Sequence, residues 1–257
     1  MTFSLSRNAR FTQFGPAARE IFAALGDYND SAGKVMECDY GMARNEMAAE
    51  HYDEAIEILE RLGAYEDAEA LLEESRYGKA SLLFAAGDWD PAAELFENLG
   101  DYKDSAERFR ECRYQKALSV FEDGAYAEAV AIFQELPDDG NAQFDLGLCY
   151  ANGYGVEQDA SKAVEWYKKA ADQGYVYAQF NLGSCYYNGS ALEQDYGKAF
   201  EMLMKAAEQG LANAQLAVAR CYLRGEGVKQ NDAKANEWID KAVEQGMDID
   251  DIIAMYQ

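Results

Sequence analysis

The segment LGDYKDS at Leu99–Ser105 echoes LGDYNDS at Leu25–Ser31 and, more loosely, LGAYEDA at Leu62–Ala68, with the three copies starting 37 residues apart. A fixed period of that size constrains the fold more than composition does. Each copy must be one supersecondary unit that cannot bury its apolar face alone, so a core forms only when neighbours stack. At this period Tyr28, Tyr65 and Tyr102 align, as do Tyr40, Tyr77 and Tyr114, and Ala43, Ala80 and Ala117. Later in the unit come Tyr52, Trp89 and Tyr126, then Ala55, Ala92 and Ala129, and finally Leu62, Leu99 and Leu136. Large aromatic, small alanine and large leucine at helical spacing describe two helices that meet closely at the alanine while a ring fills the flank. Each unit therefore reads as a long helix starting near Asp30, Asp67 or Asp104, a turn around Gly87 or Gly124, and a shorter helix. The acidic or serine side chains at those starts predict N-caps. In this scheme LGDY is the end of a short helix, its glycine stop, and the turn into the next long helix.

The prolines fit. Pro91 stands at the start of a short helix, and Pro16 falls one residue off the equivalent place a full period before Asp53, where a missing N–H costs nothing. Ile21, Phe22 and Leu25 match Ile58, Leu59 and Leu62, so the chain is expected to enter through a half repeat. Pro137, in LPDDG, ends the last short helix and marks a junction, which divides the chain into residues 1–137 and 138–257.

From Asn141 the period becomes 36, in the copies AQFDLGLCYANGYGV, AQFNLGSCYYNGSAL and AQLAVARCYLRGEGV. Downstream stand SKAVEWYKKAADQG, GKAFEMLMKAAEQG and AKANEWIDKAVEQG. Alanine, leucine and tyrosine at i, i+4 and i+8 build one buried face, and Gly153, Gly189 and Gly225 end that helix. After a short loop, Asp159, Asp195 and Asn231 are placed to cap a second helix, which Gly174, Gly210 and Gly246 stop. The tail MDIDDIIAMYQ aligns with a fourth first helix, Ile252 at the place of Leu216, and is expected to cap the stack.

The first half resembles the tetratricopeptide repeat, although its period exceeds the usual one of about 34 residues and its consensus is degenerate. The second half resembles the Sel-1-like repeat over residues 141–246, departing from it at Ser190–Leu192 and at Met202. The resemblance implies an all-α, right-handed superhelix of helix-turn-helix repeats. It also implies a noncatalytic adaptor that holds a protein or peptide segment in its groove, within a bacterial signalling or envelope assembly.

Charge and cysteine usage narrow the partners. With 23 basic and 47 acidic residues the net charge is −24, which repels phosphate backbones and anionic membranes and attracts basic partners; it also serves plain solubility. No apolar run reaches the roughly 20 residues that span a bilayer, and MTFSLSRNAR lacks the apolar core of a secretory leader, so a cytoplasmic protein is expected. Cys149, Cys185 and Cys221 recur at 36, and Cys38 and Cys112 lie two periods of 37 apart with Ser75 between them. They are packing positions, and with one histidine and no Cys-x-x-Cys there is no metal ligand set and no implied cofactor.

Other motifs are weaker. Asp27, Asn29 and Asp30 imitate a cation loop, but Ala64 removes a carboxylate from the second copy. SAGK at Ser31–Lys34 matches the Ser-x-x-Lys of penicillin-recognising enzymes without the partner motifs that complete such a site. GYG at Gly153–Gly155 lacks the strand a phosphate loop needs, and His51 reads as an exposed turn residue. A penicillin-recognising or peptidoglycan-acting enzyme, or a sensor for a small ligand or glycan, is the alternative to the adaptor.

Binding candidates come from the stripe of each first helix that varies between copies. It holds Asp39, Arg76 and Arg113, then Met42, Lys79 and Lys116; in the second half it holds Asp145, Asn181 and Ala217, then Leu148, Ser184 and Arg220, then Asn152, Asn188 and Arg224. Arg76, Lys79, Arg113 and Lys116 form a basic set able to clamp a carboxylate, or else pair with Glu73, Glu74 and Glu111 on their own helix surface. Asn181, Ser184, Tyr187, Asn188, Arg220 and Arg224 offer amide, aromatic and cationic contacts to an extended peptide.

Overall fold

The computed structural model describes residues 15–26, 28 and 30–247. Among them the secondary structure is helical throughout, with no strand. The helices are α1 (Pro16–Ala24), α2 (Ser31–Ala48), α3 (Tyr52–Leu62), α4 (Ala68–Ala86), α5 (Trp89–Leu99), α6 (Ser105–Glu122) and α7 (Tyr126–Gln134). Then follow α8 (Gly140–Asn152), α9 (Ala160–Asp172), α10 (Val176–Asn188), α11 (Tyr196–Glu208), α12 (Ala212–Arg224) and α13 (Asp232–Glu244). Two compact units result, Met1–Gln115 and Lys116–Gln257.

In the first unit α1 packs on α2, α2 on α3, α3 on α4 and α4 on α5. Helix α1, with Pro16 in its first turn, carries Ile21 and Phe22 of the anticipated half repeat. The expected close contacts at small residues are present: Ala43, Ala55, Ala80 and Ala92 have no exposed surface, and Ile58, Leu59 and Phe96 pack around them. Emptying the place of fully buried Phe96 by Phe96→Ala should cost about 3–5 kcal/mol. Cys112, Cys149 and Cys221 are buried and free, and burial pushes these thiols up to about 11, so they stay protonated and pack as small hydrophobes.

The N-cap expectation divides between the two repeat types. In the second unit Asp159 accepts from the Ser161 and Lys162 amides at 3.0 Å, and Asp195 and Asn231 accept from Lys198 and Lys234 at 3.0 Å. Asp139 caps α8 in the same way. In the first unit Asp30 and Asp67 precede α2 and α4 without a side-chain cap bond. The Asp67 carboxylate instead accepts from the hydroxyl of Tyr40, and Asp104 accepts from Tyr77 at 2.5 Å. A tyrosine hydroxyl from the preceding long helix thus takes the oxygen that would otherwise cap, tying one repeat to the next.

The second unit has its own clasp. Gln143, Gln179 and Gln215 are buried at the start of α8, α10 and α12. Gln179 donates to the carbonyl of Ala171 at the end of α9 and accepts from Gln209 at the end of α11 (2.8 Å). Gln215 repeats this with Ala207 and Gln245 (2.8 Å), and Gln143 with Pro137 and Gln173 (3.0 Å). Each buried amide uses both ends, and those of Gln179 and Gln215 add a donor to the carbonyls of Ala171 and Ala207 in the last turns of α9 and α11.

Gly153, Gly189 and Gly225 follow α8, α10 and α12 in the left-handed conformation, as their helix-stopping place requires. The tail from residue 248 onward, including Ile252, the N-terminal MTFSLSRNAR, and Asp27 and Asn29 of the cation-loop motif lie outside the described residues.

Candidate functional site

The variable stripe of the second unit lines two cavities. One, of about 250 Å³, lies between α10 and α12 above Leu203 of α11, and the predicted residues Ser184, Tyr187, Asn188 and Arg220 line it. The other, of about 220 Å³, lies among α6, α7 and α8; Asp145, Leu148 and Asn152 line it beside Phe121, Phe133 and Tyr154.

The first of these exists because of substitutions between copies. In the groove between α8 and α10, Phe144 gathers the rings of Tyr167, Tyr175 and Tyr177 at centroid distances of 5.9, 5.2 and 6.0 Å. Thirty-six residues on, Phe180 keeps the place of Phe144, while the three tyrosines become Leu203, Leu211 and Asn213. Three ring volumes are exchanged for two smaller aliphatic groups and one amide, and the space beside Phe180 opens, lined by Leu203, Asn213 and Leu216. The predicted residue Asn181 belongs to the filled groove, where it stands near the Tyr167 hydroxyl. Alanine stands at its equivalent, Ala217, in the open one.

Arg220 is the charged group of the open cavity. Its guanidinium lies 4.3 Å from the centre of the Tyr187 ring. Tyr187 is held on two further sides, by the edge of Tyr196 (5.2 Å between centroids) and by donation of its hydroxyl to Glu226 at 2.5 Å. Burial, and after it this hydrogen bond, pushes the Tyr187 hydroxyl up, so it stays a donor. Predicted residue Arg224 is exposed at the edge of this group. Among the described residues Arg220 forms no ion pair, and its buried Nε has no hydrogen-bond partner. Ser184 is turned back onto the Phe180 carbonyl (3.0 Å), which leaves Asn188 and Asn213 as the exposed carboxamides at the rim.

Three residues of the basic set meet carboxylates of the preceding short helix. Arg76 of α4 pairs with Glu60 of α3 at 2.8 Å, and Lys79 pairs with Asp53 of α3. Arg113 of α6 lies 3.6 Å from Asp90 of α5, and Lys116 falls in the second unit. The carboxylates come from the preceding short helix, whereas Glu74 approaches Lys103 (3.7 Å) and Glu111 takes Gln115 (2.7 Å). Sequence spacing along one helix could not reveal this, because the partners meet across a helix pair.

The weaker motifs resolve structurally. Ser31 is buried and donates to the Gly26 carbonyl, while Lys34 pairs with Glu37 at 2.6 Å, so Ser31 and Lys34 are each committed to structural partners. His51 precedes α3, exposed, with its ring 2.9 Å from the Glu46 carboxylate. Among the described residues no cluster of histidine, cysteine and carboxylate side chains could hold a metal, and no helix is long and apolar enough to cross a membrane.

Sequence reading named five residues of the open cavity, Ala217 among them, and missed Phe180, Leu203, Asn213 and Leu216. The available signal was the replacement of Tyr167 and Tyr177 by Leu203 and Asn213 between two consecutive copies.

Comparison with known proteins places these features. The Sel1 repeat family matches residues 140–175, 176–211 and 212–247, and the family described as anaphase-promoting complex, cyclosome, subunit 3 matches residues 50–136. A Sel1 repeat protein from Oxalobacter formigenes is 32% identical over 52% of this chain and 54% of its own, with a TM-score of 0.50. A protective antigen of uropathogenic Escherichia coli strains displaying an SLR fold is 24% identical over 76% of this chain and 42% of its own, with a TM-score of 0.56, a likeness of fold alone. The chain thus spans about half the length of these two structures. No curated protein matches it. Residues 140–247 of this chain are three consecutive Sel1 repeats, and a tetratricopeptide-like region precedes them.

Proposed function

We propose that the chain is a noncatalytic adaptor that holds a segment of a partner protein against the first helices of its Sel1 repeats. One observation carries the reading: the stripe that varies between copies is the stripe that lines the cavities, while the positions that repeat are consumed in packing. A repeat array can change such a stripe without disturbing its core, which is how these folds acquire different ligands. The open cavity between α10 and α12 is the docking point, with Asn188, Arg220 and Tyr187 as its contacts and Arg224 at its edge. The basic residues Arg76, Lys79 and Arg113 serve chiefly to join helix pairs through Glu60, Asp53 and Asp90.

The test places a photo-crosslinking benzoylphenylalanine at exposed Asn188, with exposed Asp232 of α13 as control, in the full chain in its native cell. A discrete crosslinked protein at Asn188 and not at Asp232 is expected. Crosslinking at neither position, or equally at both, would overturn the docking site.

A further inference from the structure

We propose that the cavity between α10 and α12 is a one-residue pocket for the C-terminal end of a partner chain: an apolar last side chain together with its free α-carboxylate. The inference rests on the adaptor reading and specifies what that adaptor recognises.

The chemistry of the lining selects the ligand. Phe180, Leu203 and Leu216 supply apolar lining, and Arg220, Asn188 and Asn213 supply donors. A ligand that satisfies both has an apolar body and an acceptor group within one residue. At about 250 Å³ the cavity is smaller than the roughly 300 Å³ at which drug-sized sites begin, and it suits one residue. An internal Asp or Glu would present a carboxylate but leave the apolar wall uncovered, and an internal Leu or Phe would cover the wall but leave Arg220 alone.

Arg220 supplies the second argument. In a chain with 47 acidic and 23 basic residues, carboxylates outnumber cations two to one, and Arg76, Lys79 and Arg113 have each found one. Arg220 is half-buried, unpaired, and pinned by its contact with Tyr187, with its Nε shielded from solvent and unsatisfied. A buried guanidinium N–H without a partner is costly, and a bidentate carboxylate is the group that relieves it best. The pinning by Tyr187, Tyr196 and Glu226 means that little side-chain freedom remains to be lost on binding.

The net charge of −24 restricts the rest of the ligand. Repulsion from the surrounding carboxylates extends over a Debye length of about 8–10 Å, so a segment with several acids is disfavoured while a single carboxylate seated on Arg220 is not. The partner tail is therefore neutral or basic apart from its terminus.

The experiment uses the full chain and three pools of N-acetylated random hexapeptides free of other acidic residues. The first ends in Leu or Phe as the free acid, the second is the same pool as the C-terminal amide, and the third carries an internal Glu and ends as an amide. Retention of each pool by the protein is read by ultrafiltration and mass spectrometry. The free-acid pool is expected to be retained at least tenfold better than either other pool. Arg220→Gln should abolish that preference, and Asn213→Tyr, which restores the ring of the filled groove at an exposed site, should abolish retention; thermal unfolding like the wild type's verifies both variants. Equal retention of acid and amide pools, or better retention of the internal-Glu pool, overturns the pocket while leaving the adaptor reading intact. Retention of none of the pools, with crosslinking at Asn188 preserved, also overturns the pocket alone; loss of both results overturns both readings.

Discussion

Tyr40 and its equivalent Tyr77 show how one side chain can join repeats: each reaches 27 residues ahead to Asp67 or Asp104 at the start of the next long helix. Burial first, and then the bond to Asp67, pushes the Tyr40 hydroxyl up to about 12. The unfolded chain has a tyrosine near pH 10, so this contribution is complete below about pH 10 and is lost as pH rises through the folded value. The urea midpoint of the wild type should therefore fall between about pH 10 and 12 more steeply than that of Tyr40→Phe, whose clasp is already absent; parallel curves would refute the linkage. At the acid end Asp104 is held below the usual carboxylate range, chiefly by the Tyr77 hydroxyl, and its contribution is lost as pH falls through that value. A second residue-scale contrast lies in the Sel1 loops, where Gly155 and Gly227 have φ of 69° and 72° and their equivalent Ala191 is forced to 58°. A side chain at Gly227 would place its Cβ 1.9 Å from the Tyr196 carbonyl oxygen. Gly227→Ala should thus cost about 2–3 kcal/mol, whereas Ala191→Gly, by relieving a left-handed alanine, should gain about 0.5–1 kcal/mol. Denaturant unfolding monitored by circular dichroism measures both, and opposite signs are the expected outcome.

At the scale of helices, the two repeat types solve one problem with different polar groups. The tetratricopeptide-like region joins successive long helices by tyrosine to aspartate, and the Sel1 repeats join successive helix pairs by buried glutamines. Gln215→Leu should remove an acceptor from the Gln245 amide and a donor from the Ala207 carbonyl, at a cost of about 1 kcal/mol. Faster hydrogen exchange confined to α11, α12 and α13 would identify the loss as that clasp, and exchange rising uniformly would not. Helix order and the glycine stops were legible in the sequence, because a period reports local structure and each unit repeats its own core. Asp67 as a cap was misread, since spacing places a carboxylate at a helix start without showing that Tyr40 competes for it. Gln179 and Gln209 recur in plain view at 36-residue spacing, yet their pairing joins residues 30 apart and emerges only when helices pack. The cavity was half legible for a related reason. Comparing copies located Ser184, Asn188 and Arg220 on a variable stripe, but a hollow is a property of what is missing, and Leu203 in place of Tyr167 makes it.

At the scale of the whole molecule, charge is the property that no single contact offsets. Exposed ion pairs of the first unit, such as Arg76 with Glu60, are each worth at most about 1 kcal/mol. They are outnumbered by carboxylates with no cation near enough to share, since 47 acids face 23 bases. Self-repulsion of this kind destabilises the compact state and is screened by salt, whereas packing around Phe96 and Leu203 and the buried glutamine clasps is screened much less. The balance predicts that salt stabilises this protein, although it weakens each ion pair individually. Raising sodium chloride from 20 mM to 500 mM at pH 7 and fixed protein concentration should therefore raise the thermal midpoint of the full chain, with about 2–4 °C expected per kcal/mol at this size. A midpoint that falls would mean that the bridges between helices, and not the repulsion among unpaired carboxylates, dominate the electrostatic free energy of the fold.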